Sequence, residues 1–227
     1  MNSAIIAAAG SGTRFGSKIP KQFLEIAGKP LILHTIELFE NCSAIDEIIL
    51  ILAKNEIEKF REVSKNQQLK KLKKIIPGGK TRAESVSNGL NAVDEKCKIV
   101  AVHDGARPLV SIAEITETVE KARETGAACL AAKVTDTIKK IAGDKIVKTI
   151  DRETLRRALT PQCFKIEILR EAFANADLNE VVTDECFLVE KLGYKIAFVD
   201  GSAKNIKITT REDFLVAEVF LQENKNV

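Results

Sequence analysis

Histidine is scarce in this 227-residue sequence, with two in all beside five cysteines, which leaves few candidates for a His-based metal centre or a catalytic triad. The cysteines (Cys42, Cys97, Cys129, Cys163 and Cys186) are dispersed, odd in number and contain no C-x-x-C pair. That pattern argues against a disulfide framework and against a zinc site, and it fits a reducing, cytoplasmic setting. No apolar run approaches the roughly 18 residues of a membrane span, so no membrane partner is expected. The N-terminus lacks a basic region, and its short apolar stretch, residues 4–9, runs into Gly10-Ser11-Gly12 rather than a cleavage site. A formal net charge of +3 is too small to point to nucleic acid, and suits a phosphate-rich small ligand as well.

What is present reads as an ordinary globular chain: 45% hydrophobic and 30% charged residues, ample for a real core. Short apolar runs alternate with amphipathic stretches, the signature of a parallel sheet with crossover helices. Strands are expected at residues 4–8, 48–52, 99–103 and 127–132, and helices at 31–39, 57–63 and 86–93. Ser111 to Glu114 form a capping box for a helix that stops at Gly126. From Val134 to Thr149 the texture changes to a hairpin turning at Gly143-Asp144. Helices near 166–175 and 183–192, a strand at 195–199 and a last helix opening on a Thr209–Glu212 capping box complete the reading. Lys70 to Lys74 read as a solvated helix end. With no repeat and no linker, the chain is expected to be one domain, 1–227, with an inserted β-arm at about 134–155.

Directly after the first strand comes Ala7-Ala8-Ala9-Gly10-Ser11-Gly12-Thr13-Arg14-Phe15-Gly16. Glycines there let backbone N–H groups approach phosphate oxygens. Phe15 occupies the place of the third glycine of a dinucleotide fingerprint, and no Gly-Lys-hydroxyl run completes a Walker loop. The loop then reads either as a phosphate cradle flanked by Arg14 and Lys21 or as a tight turn with surface cations.

Further motifs follow in order: Pro20-Lys21-Gln22, Gly78-Gly79-Lys80-Thr81-Arg82-Ala83-Glu84-Ser85-Val86, Val102-His103-Asp104-Gly105-Ala106-Arg107-Pro108, Leu159-Thr160-Pro161-Gln162 and Thr183-Asp184-Glu185. Together with the glycine loop, and over residues 3 to about 220, they resemble the 2-C-methyl-D-erythritol 4-phosphate cytidylyltransferase family of the non-mevalonate isoprenoid pathway. The resemblance implies an α/β, Rossmann-like nucleotidyltransferase three-layer sandwich, with a mostly parallel twisted sheet and a protruding β-arm. It also implies CTP and a sugar-alcohol phosphate as substrates, Mg²⁺ as cofactor, and a homodimer in which the arm serves the neighbouring site. Ribitol 5-phosphate cytidylyltransferase is the nearest alternative, sharing the glycine loop and T-P-Q. A non-catalytic nucleotide sensor is the alternative from another class, and Arg14, Lys21 and Lys207 together speak against it.

The chemistry suits the scarcity of histidine. A phosphomonoester is largely dianionic at neutral pH, so its oxygen needs no general base; the difficulty is electrostatic, and fixed cations with Mg²⁺ are the natural answer. By resemblance, Arg14, Lys21 and Lys207 are the catalytic cations. Ala8, Ala9, Gly10, Gly79, Arg82 and Ser85 hold the nucleotide. Asp104 binds the metal and lies by the acceptor, which Thr137, Arg152 and Thr160 also contact. Asp104 moreover follows a strand directly, where open α/β sheets bind ligands. Lys207 is expected on a short strand, turned away from Ile206 and Ile208.

Overall fold

The continuous apolar runs become the inner strands of a seven-stranded sheet. The computed structural model describes residues 1–10, 15–16, 19–177 and 180–223. In chain order its elements are β1 (Asn2–Ala7), β2 (Glu25–Ile26), β3 (Lys29–Pro30), α1 (Leu31–Glu40), β4 (Glu47–Leu52), α2 (Ile57–Ser64), β5 (Leu72–Pro77), α3 (Arg82–Ala92) and β6 (Ile99–Asp104). They continue with α4 (Ile112–Thr125), β7 (Ala127–Lys133), β8 (Ile138–Ala142), β9 (Lys145–Ile150), β10 (Arg156–Lys165), α5 (Ile166–Ala174), α6 (Glu185–Lys191), β11 (Ala197–Asp200) and α7 (Arg211–Glu223).

The sheet order is β11-β7-β10-β6-β1-β4-β5. All neighbours run parallel except β10, which lies antiparallel between β6 and β7. Helices cover both faces, giving three layers. On one face Ile36 and Phe39 of α1, Phe60 of α2 and Ile115 of α4 pack on Ile6, Ile48 and Leu50. On the other, Val86 of α3, Leu169 of α5 and Val189 of α6 pack on Ile5, Ile51 and Val102. Each such side chain contributes roughly 1.5–3 kcal/mol by leaving water. A smaller cluster of Phe15, Ile26, Leu31, Ile208 and Ala217 ties α7 to the segment after the glycine loop.

Local signals hold at several ends. Ser111 and Glu114 form the reciprocal capping box, and Gly126 ends α4 at φ 94°. Gly143, at φ 58°, makes the turn between β8 and β9, which form a separate two-stranded sheet. Ile141, Ile146 and Val147 on this arm face solvent.

Four expectations need correction. The cap of α7 is shifted by one residue: the Thr210 hydroxyl accepts from Asp213 N at 3.3 Å, and the Asp213 carboxylate accepts from Thr209 N and Thr210 N. Aspartate, one position after the glutamate, has the shorter reach that closes this box. Lys70 to Lys74 do not end a helix, since α2 stops at Ser64; they lead into β5, with Lys71 N bound by the Glu40 carboxylate. Asn205 to Ile208 form no strand; the segment is irregular and hangs from Asn205 Nδ2 to Thr160 O and from Ile208 N to Ala106 O. Finally, β10 was not foreseen. Its polar Thr160-Pro161-Gln162 stretch breaks the apolar pattern, and a register shift between Ala158 and Gln162 accommodates the proline.

Candidate active site

Strand order reverses between β1 and β6, and a crevice opens beyond their carboxyl ends, the place where open α/β sheets bind ligands. Ala7 of β1 pairs with Asp104 of β6, so the loops after both strands leave the sheet side by side. Between them and the loop after β5 lies a cleft of about 360 Å³. Ala8, Ala9, Gly10, Gly79 and Gly105 form its small-residue wall. The smallness is required: a Cβ on Gly78 would stand 2.4 Å from the Ala9 Cβ, and one on Gly105 would stand 2.8 Å from the Ala8 Cβ. The wall is therefore close-packed backbone and methyl groups, which leaves room for a flat ligand.

The loop before α3 is pinned by its own polar groups. Thr81 caps the helix by accepting from Glu84 N. Ser85 Oγ accepts from Gly79 N at 3.0 Å and donates to Thr81 O at 2.8 Å, so Ser85 shapes the slot by fixing Gly79. Across the cleft, Gln22 donates to Ala8 O at 3.2 Å and to the buried Glu56 at 2.6 Å, which fixes the segment carrying Lys21. Lys21 Nζ donates to Ile208 O at 2.8 Å, bridging that segment to the strap that carries Lys207.

The charged floor centres on Asp104. Lys207 Nζ lies 2.9 Å from its Oδ2, Arg107 Nε 3.3 Å from the same oxygen, and Arg82 Nε 3.3 Å from Oδ1. Burial by itself would raise this carboxyl, but Arg82, Lys207 and Arg107 hold it well below the usual range. Arg82 also places Nη1 2.6 Å from Glu185 Oε1. Burial opposes the Arg82 charge, yet its two carboxylate neighbours drive its affinity for the proton above that of free arginine. Beneath the floor, Thr160 Oγ1 accepts from Asp104 N at 3.1 Å and lies 3.0 Å from His103 Nδ1. His103 is wholly buried, and burial pushes it down to about 4, so it stays neutral and structural.

Ala8, Ala9, Gly10, Lys21, Gly79, Arg82, Ser85, Asp104 and Lys207 thus line one cleft, although they come from five separate stretches of chain. Thr160 sits directly behind Asp104. Arg14 lies outside the described residues. Thr137 and Arg152 are on the root of the arm, where Arg152, Lys133 and Arg156 border a separate cleft of about 220 Å³. The chain does not bring them to its own Asp104. Arg107 and Glu185 join the charge network behind the cleft without having been singled out. Both were visible inside their motifs, but nothing in linear spacing shows that residues 82, 104, 107, 185 and 207 converge. Among the described residues no group of three acidic, His or Cys side chains could hold a metal. Among the described residues Asp104 is the one carboxylate lining the cleft, with three donors on a group that accepts about four. Such a donor set fits a hard divalent ion that takes most of its ligands from phosphate oxygens.

A family model described as 2-C-methyl-D-erythritol 4-phosphate cytidylyltransferase matches residues 2–223. The chain belongs to this family. A curated member from Halalkalibacterium halodurans is 41% identical over 224 residues, covering 98% of each chain. Another, from Alkaliphilus metalliredigens, is 40% identical and covers 99% of this chain and 94% of its own. Among solved structures, a 4-diphosphocytidyl-2C-methyl-D-erythritol synthase from Anaerococcus prevotii superimposes with a TM-score of 0.87 at 30% identity, covering 98% of this chain and 96% of its own. The 2-C-methyl-D-erythritol 4-phosphate cytidylyltransferase of Thermus thermophilus gives 0.78 at 32% identity, covering 97% and 98%. The family's fold is this fold, a mostly parallel sheet between helical layers. Among the described residues, no helix is long and apolar enough to cross a membrane.

Proposed function

We propose that the chain transfers the cytidylyl group of CTP to 2-C-methyl-D-erythritol 4-phosphate, giving 4-diphosphocytidyl-2-C-methyl-D-erythritol and pyrophosphate in isoprenoid biosynthesis. The observation that carries this reading is the convergence of Arg82, Arg107 and Lys207 on Asp104, with Lys21 lining the same cleft beside a small-residue slot. The slot suits a flat pyrimidine, and the cations suit its triphosphate. Family membership favours the erythritol phosphate over ribitol 5-phosphate as acceptor.

In the reaction an oxygen of the acceptor phosphate attacks the α-phosphorus of CTP. The bond from that phosphorus to the α,β-bridging oxygen breaks, and pyrophosphate leaves with the electron pair. The nucleophile is already anionic, so no side chain has to remove a proton; among the described residues the cleft presents cations and one carboxylate, Asp104, which is paired with three of them. Lys207 and Lys21, and by resemblance Arg14, neutralise charge that builds on the α-phosphoryl oxygens. Asp104 would hold Mg²⁺ together with the triphosphate. The ion would supply Lewis-acid polarisation and screen the anions from one another.

The arm completes the proposal. An isolated two-stranded hairpin is marginal in water, and this one exposes Ile141, Ile146 and Val147. Both features support a homodimer in which Thr137 and Arg152 of one protomer serve its partner's cleft. A cytoplasmic location accords with five unpaired, buried cysteines. The test is incubation with CTP, Mg²⁺ and either acceptor, reading pyrophosphate. Release with the erythritol phosphate is expected; release with ribitol 5-phosphate alone would replace the assigned acceptor, and none with either would overturn the reading.

A further inference from the structure

We propose that Glu185 is a positioning residue that acts through Arg82 on the nucleotide cleft, and that Gln162 sets Glu185 in place. The inference rests on the cytidylyl-transfer reading and assigns work to two residues that reading leaves idle, Gln162 and Glu185.

The geometry forms one chain of contacts. Gln162 reaches from β10 to the start of α6. Its Oε1 accepts from Glu185 N and Cys186 N at 3.1 Å each, and its Nε2 donates to Asp184 Oδ2 at 2.8 Å. Asp184 in turn caps α6 by accepting from Phe187 N at 2.9 Å. The helix start is thereby fixed against the sheet, with the Glu185 side chain fully buried. Its Oε1 receives Arg82 Nη1 at 2.6 Å, and Arg82 Nε continues to Asp104 Oδ1 at 3.3 Å. Arg82 lines the cleft; Glu185 does not.

A purely structural ion pair accounts poorly for this arrangement. Taking both charges out of water is costly, and an apolar pair of similar volume is often as stable or more so. Moreover Glu185 Oε2 is buried without a hydrogen-bond partner among the described residues, so the carboxylate spends one oxygen on Arg82 and leaves the other unsatisfied. What Glu185 achieves is orientation. Arg82 has five donors and two carboxylates within reach. Without Glu185, the guanidinium is free to close on Asp104 with its fork, taking that carboxylate from Lys207, or to swing into the slot. Either movement alters the wall that the nucleotide meets.

The test is a double-mutant cycle on the full-length enzyme, reading the CTP dissociation constant by calorimetry, KM and kcat by pyrophosphate release, and melting temperature. Glu185→Gln is expected to raise both the dissociation constant and KM for CTP about ten-fold, the scale of lost supporting contacts. The change in kcat is expected to be less than about three-fold. In an Arg82→Gln background the same substitution should add less than about two-fold, because the residue it works through is gone. Glu185→Asp, which keeps the charge on a shorter stem, should fall between. Should Glu185→Gln not fold, Glu185→Asp with and without Arg82→Gln runs the same cycle. A lowered melting temperature with unchanged CTP affinity, or additive effects in the double variant, overturns the proposal. Wild-type protein that neither binds CTP nor releases pyrophosphate overturns the underlying reading and this one with it.

Discussion

Lys207→Met separates what the floor of the cleft does for the fold from what it does for the reaction. The ammonium is 2.9 Å from Asp104 Oδ2, but the side chain keeps 36% of its surface in water. Pairs this exposed are worth about 0.2–1 kcal/mol. Asp104 keeps Arg82 and Arg107 after the substitution, and the mutual repulsion of three cations is relieved. The net cost to stability is therefore expected to stay under about 1 kcal/mol, a fall in Tm of less than about 4 °C for a chain of this size. For the reaction the same side chain is a fixed cation aimed at developing charge, and losing one such donor costs about 10²–10³ in kcat, or about 2.7–4 kcal/mol. Pyrophosphate release at saturating CTP and acceptor, with a thermal melt on the same preparation, reads both numbers. A kcat within three-fold of wild type would refute the assigned role. So would an activity loss that merely tracks the fraction unfolded. Lys207→Arg should recover part of the rate, since it restores charge but not the compact ammonium.

The trans arrangement of the arm predicts complementation. Lys207→Met and Arg152→Ala, each impaired alone, should regain about a quarter of wild-type activity when unfolded and refolded together one to one. Half the dimers are then mixed, and each mixed dimer has one intact site; no recovery would place Arg152 in its own protomer's site. His103 predicts a pH effect. The fold holds it neutral down to about pH 4, while in the unfolded chain it takes a proton below about 6.5. Its contribution is full above the unfolded value and is lost as pH falls from about 6.5 towards 4, by up to about 3 kcal/mol. Between pH 7 and 5 the urea midpoint should drop less steeply in His103→Gln than in wild type, and parallel slopes would contradict this.

The sequence made the parallel strands legible because residues 48–52 and 99–102 are buried on both faces and so read as unbroken apolar runs. It hid β10 for the opposite reason. That strand lies in the middle of the sheet, yet it presents Thr160 and Gln162 to the polar floor and interrupts its own ladder at Pro161. The cleft was readable wherever a motif stands at the carboxyl end of a strand, as Ala8 to Gly10 and Asp104 do. Lys207 was given a strand it does not have, because Ile206 and Ile208 alternate with it while packing on α7 rather than pairing in a sheet. Arg107 and Glu185 stayed anonymous, since their roles depend on partners as much as 103 residues away in the chain.

Asp104 has a use even before any ligand arrives. Three side chains of like sign, gathered with nothing between them, would splay apart into water, and bringing them back would fall to the incoming substrate. A single carboxylate at their centre acts as a placeholder anion, keeping Arg82, Arg107 and Lys207 assembled at and behind the cleft. The cations are thus gathered at one place before any nucleotide enters the cleft.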